Sequence, residues 1–251
     1  MAQTIDMVAD LGEGFGKYTI GDDEALLGAL SSANIACGFH AGDPVIMDRV
    51  VGICVDRGVA IGAHPGFDDR RGFGRVRIDM PQQQLYADTL YQIGALSAFA
   101  GKHRAPLHHV TPHGKLGNLT VEEEYFAKPV LDAIRDYSTD LIIYTQEGVL
   151  AELARAEGMR VAILGLADRN YQSNGLLVSR TEPTARIKDP ADIVKRAARM
   201  LNEGKVTSID GTDVDVPADT ILLHGDKPEA VATVLALRRA CDDAGYEIAT
   251  L

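Results

Sequence analysis

The sequence has 251 residues, of which 46% are hydrophobic, and a formal net charge of -11 that reflects 36 Asp and Glu against 25 Lys and Arg. This composition is typical of a globular protein with a sizeable core, and the acidic excess argues against a nucleic-acid partner, because phosphate binding needs clustered cations. The N-terminus lacks the basic and apolar regions of a signal peptide and no apolar run is long enough to span a bilayer, so we expect a cytoplasmic protein without membrane contact.

Short apolar runs alternate along the chain with longer stretches of helical period, a pattern that predicts repeated strand–helix units around a parallel sheet. We predict strands over residues 5–10, 33–37, 60–64, 107–110, 141–144, 160–164, 220–224 and 247–251. We predict helices over residues 44–57, 81–101, 121–137, 148–157, 190–203 and 227–244. No Ser/Pro-rich linker divides these elements, and a single domain over residues 1–251 is expected.

Local signals mark two of the helices, because Asp43 precedes Pro44 and Asp189 precedes Pro190. Each pair offers a capping side chain followed by a proline at the first helical position, where its missing N–H costs nothing. Residues 66–77 and 167–187 interrupt the alternation with polar, glycine-containing sequence. Long loops inside compact domains often carry function, so we interpret both segments as candidate lids or substrate loops.

Polar residues flanked by glycine follow five of the predicted strands, in the stretches VADLGEGFG, NIACGFHAGDP, GAHPGFDD, TPHGKLGN and LLHGD. Parallel barrels and open α/β sheets place their active sites at the carboxyl ends of their strands. Eight acidic and histidine side chains are predicted at this edge: Asp10, Glu13, His40, Asp43, His64, His113, His224 and Asp226. The remaining histidines, His103, His108 and His109, are predicted to lie elsewhere.

This set of side chains is compatible with two chemistries, and the sequence leaves both open. Histidines and carboxylates from different strands can hold a divalent metal that polarises a carbonyl and activates water, or they can act without metal as general acid and base. No HExxH motif is present, and the three scattered cysteines (Cys37, Cys54 and Cys241) predict neither a disulfide framework nor a metal site. The GEGFG stretch lacks the context of a dinucleotide-binding fingerprint, and no GxxxxGK[ST] loop occurs.

Six stretches identify the chain as resembling the LamB/YcsF family: DLGEGFG, NIACGFHAGDP, GAHPGFDDRRGFGR, TPHGKLGN, LADRNY with NGLLVSR, and HGD. The resemblance covers nearly the whole chain. It implies an irregular (β/α) barrel of about seven strands, similar to the barrels of sugar deacetylases. It also implies a share in the ATP-dependent opening of 5-oxoproline, a cyclic amide, to glutamate, together with partner subunits B and C. ATP is expected on this chain or on a partner, and the resemblance leaves open a bound divalent metal and a homo-oligomer.

The resemblance also implies site residues. A histidine, His113 or His64 first, is expected to act as general base, and Asp10 or Glu13 to orient it. Arg75 or Arg180 is expected to bind a substrate carboxylate or phosphate. The motif positions assigned to substrate binding are Asn34, His40, Asp43, Arg75, Asn118, Asp168, Arg169, Tyr171, Arg180, His224 and Asp226.

The sequence departs from the family pattern at several of these motifs. The departures replace an Asn, a Lys, an Ala, a Tyr, an acidic residue and a Cys, and they fall at Gly12, Thr111, Lys115, Gly117, Leu164 and Leu223. Coordinated loss of a buried carboxylate and its cation would change the pocket, so we expect a divergent member that acts on a lactam related to 5-oxoproline. Two other functions stay open: a non-catalytic substrate-binding subunit, and a metal-dependent, deacetylase-like amide hydrolase that acts without partners.

Overall fold

The structure, a computed structural model, describes residues 4–226 and 229–251. Seven parallel strands form a closed barrel, because the first strand pairs with both its neighbours in the ring. The barrel strands are β1 (Thr4–Leu11), β2 (Ser32–Ala36), β3 (Ala60–His64), β4 (His109–Val110), β5 (Ile142–Thr145), β6 (Val161–Leu166) and, later in the chain, β9 (Thr220–His224). The prediction of an irregular barrel of about seven strands is confirmed.

Three short strands lie outside the ring. The hairpin of β7 (Lys205–Thr207) and β8 (Asp213–Asp215) pairs antiparallel, and the sequence did not predict it. The last strand, β10 (Glu247–Ile248), pairs in parallel with the beginning of β1, where Thr4 lies opposite Glu247. It is shorter than the predicted strand over residues 247–251.

Eight helices surround the barrel within the described residues: α1 (Asp23–Leu27), α2 (Pro44–Arg57), α3 (Gln82–Lys102), α4 (Gly114–Glu122), α5 (Glu124–Tyr137), α6 (Val149–Ala156), α7 (Pro190–Glu203) and α8 (Ala230–Asp243). The predicted helix over residues 121–137 is wrong as a single element, because Glu123 adopts an extended conformation and separates α4 from α5. The predicted helix over residues 227–244 would begin at residues 227 and 228, which lie outside the described residues. Among the residues that are described, we find no helix of the length and apolarity that a membrane span requires.

The caps of α2 show why its limits follow the sequence. Asp43 Oδ1 accepts hydrogen bonds from the N–H groups of Val45 and Ile46, both at 2.9 Å, and Pro44 occupies the first helical position. Gly58 ends the helix with φ 67°, a left-handed conformation that glycine adopts without steric cost. The helix therefore begins and ends where the sequence predicted.

Strand register brings polar residues together inside the barrel. Asp10 on β1 lies opposite Asn34 on β2 and His224 on β9, and Gly62 on β3 lies between Asn34 and His109. Because alternate residues of a strand point to the same face, these side chains share the barrel interior at its carboxyl end. The fold thereby assembles the site from strands that are far apart in sequence.

Candidate active site

Four buried side chains form a compact cluster at the carboxyl end of the barrel: Glu13, His40, His64 and His113. One ligand-type atom from each lies within 4.8 Å of the others, so the group could hold a metal ion. Glu13 Oε1 lies 3.3 Å from His40 Nε2 and 3.7 Å from His113 Nδ1, and His113 Nδ1 lies 2.9 Å from His64 Nε2. The cluster thus brings together three of the four histidines that the sequence predicted at this edge.

Backbone carbonyls fix the tautomers of two of these histidines. His64 Nδ1 lies 2.7 Å from the carbonyl oxygen of Thr111, and His113 Nε2 lies 2.9 Å from that of Phe73. Because a carbonyl oxygen can only accept, both of these ring nitrogens carry the proton. The opposite nitrogens, His64 Nε2 and His113 Nδ1, therefore face one another across the cluster.

Asp10 lies beside the cluster and is held by a second network. Its Oδ1 lies 3.2 Å from His64 Nε2 and accepts a hydrogen bond from Asn34 Nδ2 at 3.0 Å. Burial raises the pKa of Asp10, but the hydrogen bond and charge interactions with His64, His224 and His113 together outweigh burial and hold the pKa well below the usual range. Asp10 is therefore ionised at neutral pH.

His109, which the sequence placed away from the site, lies directly beneath it. Its Nε2 donates to Asn34 Oδ1 at 2.9 Å, and Thr111 Oγ1 donates to the same oxygen at 2.9 Å. A Cβ on Gly62 would lie 2.0 Å from His109 Nε2, so only glycine leaves room for the ring to reach across β3. His109 therefore orients Asn34, and through it Asp10, and the prediction that it lies elsewhere is wrong.

Burial has opposite effects on the acid and the bases of the cluster. It raises the pKa of Glu13 well above its usual value, and the nearby charge of Asp10 adds to this shift. It lowers the pKa of His40 and of His113 well below the usual range, so both rings are neutral at pH 7. Such opposed shifts in one cleft are typical of functional sites.

The loop over residues 66–77 is packed onto the cluster. Phe73 has φ 56°, an uncommon conformation for a residue with a side chain, and its carbonyl is the acceptor for His113. Gly74 follows, and a Cβ there would lie 2.8 Å from both His113 Cδ2 and His40 Cβ. The loop thus fixes the orientation of His113, and its interpretation as a lid stays a prediction.

A second group lies on the other side of the opening. Arg180 Nη2 donates to His224 Nε2 at 2.6 Å, and His224 Nδ1 donates to Asp168 Oδ2 at 2.7 Å. Arg75 Nη2 donates to Asp226 Oδ2 at 2.9 Å. Burial lowers the pKa of Arg180 to about 9, which leaves it charged at pH 7.

Two adjoining cavities lead into the site. The inner one, of about 60 Å³, is lined by Asp10, His64 and His113 together with Arg180 and His224. The outer one, of about 290 Å³, is lined by the cations Arg75, Lys115 and Arg180. Both cavities include Asn118 in their walls. We call the outer one the cationic vestibule, and it shares Asn118 and Arg180 with the wall of the inner cavity.

Three predicted substrate-binding residues have structural contacts in the described chain. Asp43 caps α2 with Oδ1 and accepts from Gly16 N–H with Oδ2. Tyr171 is buried, and its hydroxyl accepts from the N–H of Leu166 at 3.0 Å. Arg169 lines the inner cavity, but its guanidinium donates to the backbone carbonyls of Val178 and Ala185.

The structure also locates the departures from the family pattern. Lys115 lines the cationic vestibule, and Leu164 lines the inner cavity. Gly12 has φ 69° and donates its N–H to Asp23 Oδ1. A Cβ on Gly117 would lie only 2.5 Å from the carbonyl oxygen of Pro112, so the present geometry accepts no side chain at position 117.

Comparisons with known proteins agree over the length of the chain. The sequence model of the LamB/YcsF family matches residues 5–251. A protein from Natranaerobius thermophilus that is named as the A subunit of 5-oxoprolinase is 42% identical over 250 residues, covering 99% of this chain and 97% of that relative.

Two solved structures bear on the fold. The crystal structure of a lactam utilization protein from Thermus thermophilus superposes with a TM-score of 0.93 at 40% identity, covering 99% of this chain and 100% of that one. A family 4 carbohydrate esterase from Streptomyces lividans has a TM-score of 0.53 at 13% identity, covering 100% and 94% of the two chains. The second likeness concerns the barrel fold alone.

Proposed function

The chain belongs to the LamB/YcsF family, and on that basis we propose that it is one component of an ATP-dependent hydrolase that opens a lactam ring, with conversion of 5-oxoproline to glutamate as its reaction. The matched relative from N. thermophilus is named as a component of 5-oxoprolinase, and the matched structure from T. thermophilus as a lactam utilization protein. The single observation that carries the proposal is a site in which a buried carboxylate and histidines lie at the bottom of a cleft with a cationic entrance.

The chemistry explains why ATP is needed. A lactam carbonyl is a weak electrophile, and transfer of a phosphoryl group to the amide oxygen makes its carbon more reactive. Water then adds to that carbon, the carbon–nitrogen bond breaks, and the ring nitrogen takes a proton and leaves as the amine. The resulting acyl phosphate reacts with a second water to give the carboxylate and inorganic phosphate.

The site supplies groups for these steps. Arg75, Lys115 and Arg180 line the entrance and match the carboxylate of 5-oxoproline or a transferred phosphoryl group. Asp10, which lines the inner cavity 3.2 Å from His64 Nε2, is placed to accept a proton from water. His113 and Glu13 lie beside them and complete the catalytic group that the sequence predicted.

We further propose that ATP is bound by partner subunits B and C rather than by this chain. The relative's name, which designates one lettered component of 5-oxoprolinase, implies a complex. The sequence has no GxxxxGK[ST] loop to hold the triphosphate. The cationic vestibule would then receive an activated lactam from a partner, and the complex would act in the cytoplasm.

One observation favours a second candidate function. The buried group of Glu13 and three histidines could bind a metal, as a metal-dependent amide hydrolase that acts without partners would require. The isolated chain would then cleave amides in the presence of the metal and without ATP.

The test is reconstitution of the purified chain with its partner subunits B and C, ATP and a panel of lactams that includes 5-oxoproline. We expect ATP hydrolysis matched by ring opening of 5-oxoproline or a close analogue, and none when this chain is omitted. Ring opening at the same rate without this chain would assign it a non-catalytic role. Cleavage by the isolated chain without ATP would favour the second function.

A further inference from the structure

The facing nitrogens of His64 and His113 lie in one buried cluster with the carboxyl group of Glu13. Both rings donate one N–H to a backbone carbonyl, so the second nitrogen of each ring, His64 Nε2 and His113 Nδ1, is left as a ligand atom, and the two lie 2.9 Å apart. Glu13 Oε1, when ionised, adds a negative charge 3.7 Å from His113 Nδ1. Two imidazole nitrogens and a carboxylate oxygen that converge in a buried space match the donor set of a divalent-metal site.

The spacing suits a tetrahedral ion. Ligands about 2.0–2.1 Å from Zn²⁺ in a tetrahedron lie about 3.3–3.5 Å from each other. The distance from His113 Nδ1 to His64 Nε2 is 2.9 Å and that to Glu13 Oε1 is 3.7 Å, so the two lie on either side of this ligand–ligand distance. The rings of His64 and His113 are nearly perpendicular, at 83°, so their lone pairs approach a common point from different directions.

His40 belongs to the cluster but is poorly aimed as a ligand. Its ring stacks on that of His113 with the centroids 3.7 Å apart and the planes at 6°. In-plane lone pairs on two parallel rings run side by side and cannot both point at one ion. His40 Nε2 instead lies 3.3 Å from Glu13 Oε1 and is placed to hydrogen-bond to that carboxyl group, as the partners of metal ligands commonly do.

We infer that Glu13, His64 and His113 form a binding site for one divalent transition-metal ion, with Zn²⁺ as the best match to two imidazoles and one carboxylate. His40 is a positioning residue that holds Glu13. An ion held there would be accessible from the inner cavity, because His64 and His113 line it. Its role there rests on the proposed ring opening: a bound ion would supply a Lewis acid beside the lactam oxygen, His64 and His113 would hold it, and Asp10 would accept the proton of the attacking water.

Metal binding is tested directly. The purified chain is stripped with a chelator, dialysed and titrated with Zn²⁺ by calorimetry, and a parallel sample is loaded with Co²⁺ for its visible absorption spectrum. We expect one ion per chain and the intense ligand-field bands of tetrahedral Co²⁺. The absence of saturable Zn²⁺ binding and of those bands in the unmutated chain would overturn the inference, whatever the variants do.

Substitutions of single histidines by glutamine separate ligands from their neighbours. His64→Gln and His113→Gln should abolish stoichiometric binding, whereas His40→Gln should weaken it by about 10–100-fold. His224→Gln alters a histidine of the same cavity that lies outside the cluster, and His103→Gln alters one that pairs with Asp48 on the helical exterior; both should bind as the unmutated chain does.

Unchanged binding in His64→Gln or His113→Gln, or loss in His40→Gln as complete as in His113→Gln, would contradict the three-ligand arrangement. Failure of the metal site is distinguishable from failure of the proposed function, because metal content is measured without substrate, ATP or partners. Ring opening by a chain that never binds metal would overturn the metal site and leave the lactam activity standing.

Discussion

Replacement of Gly62 by alanine should displace the ring of His109, which supports the site through Asn34. The new Cβ would lie 2.0 Å from His109 Nε2, 2.3 Å from its Cδ2 and 2.4 Å from its Cε1. The ring must therefore retreat by about 1.5 Å to reach an ordinary contact of about 3.5 Å. That movement breaks the 2.9 Å hydrogen bond from His109 to Asn34, the residue that donates to Asp10.

The cost follows from two effects. A buried donor left without its acceptor costs about 1–3 kcal/mol, and an overpacked core costs about another 1–3 kcal/mol. Replacing a glycine within a strand by alanine stabilises the folded state by about 0.5–1 kcal/mol, because the unfolded chain then has less conformational entropy to lose. We expect Gly62→Ala to lower the free energy of unfolding by about 1–5.5 kcal/mol.

The assay is urea denaturation of a double-mutant cycle. In His109→Ala the imidazole is absent, so adding Gly62→Ala places the methyl group in vacated space and should cost almost nothing more. The coupling energy should therefore be about 2 kcal/mol or larger. Gly94→Ala is the matched control, because a Cβ there meets no atom within 4 Å, and in α3 it should stabilise by about 0.5–1 kcal/mol.

Additivity of the two substitutions within about 0.5 kcal/mol would contradict a clash between a Cβ at position 62 and the ring of His109. The reasoning is also refuted if Gly62→Ala alone is as stable as the unmutated chain, since the ring would then have room that the structure does not show.

Three further predictions concern local features of the fold. Gly117→Ala would place a Cβ 2.5 Å from the carbonyl oxygen of Pro112, so it should destabilise the chain by about 1–3 kcal/mol in urea and raise KM for the lactam, unlike Gly94→Ala. Asp43→Ala removes the cap of α2 and should cost about 0.5–2 kcal/mol; an unchanged thermal midpoint would show that the cap contributes nothing. Burial raises the pKa of Asp168, but its interactions with His224, Arg180 and Arg169 together outweigh burial and hold the folded-state pKa below the unfolded value of about 3.9. The ionised carboxylate therefore stabilises the fold above the unfolded-state pKa, and this stabilisation is lost as the pH falls through the folded-state pKa. Asp168→Asn should reduce the loss of stability in acid, which urea midpoints measured from about pH 6 to pH 2 would show. An equal dependence of the urea midpoint on pH in both proteins would contradict this.

The helices that the sequence located best are those with signals at both ends. For α2 and α7 an aspartate cap, a proline at the first position and a left-handed glycine after the last turn all coincide, and both helices have the predicted limits. The hairpin of β7 and β8 has three residues in each strand and one buried side chain in each, which is too short for a period to be recognised. The break between α4 and α5 depends on the backbone of Glu123, and no glycine or proline marks it.

The sequence predicted which side chains lie at the carboxyl edge of the barrel, but not which of them contact one another. Strand ends indicated that His64 and His113 would be near each other, because parallel strands finish at the same edge. Their tautomers depend on carbonyl groups of Thr111 and Phe73, and the conformation of Phe73 is set by tertiary packing rather than by its own residue type. A register that placed Gly62 next to His109 could have identified that histidine as an interior residue.

The most direct test of the central claim, that ring opening occurs in the cavity of this chain, is the Asp10→Asn variant in the reconstituted mixture with partner subunits, ATP and 5-oxoproline. The side chain of Asp10 accepts a hydrogen bond from Asn34 and faces His64. Asparagine at this position has the same size but no charge. Glutamate formation should fall by about 100-fold or more, as expected when a proton acceptor is lost, while Asp48→Asn on the exterior of α2 leaves it unchanged. A folded, partner-bound Asp10→Asn chain that forms glutamate at the full rate would contradict the account.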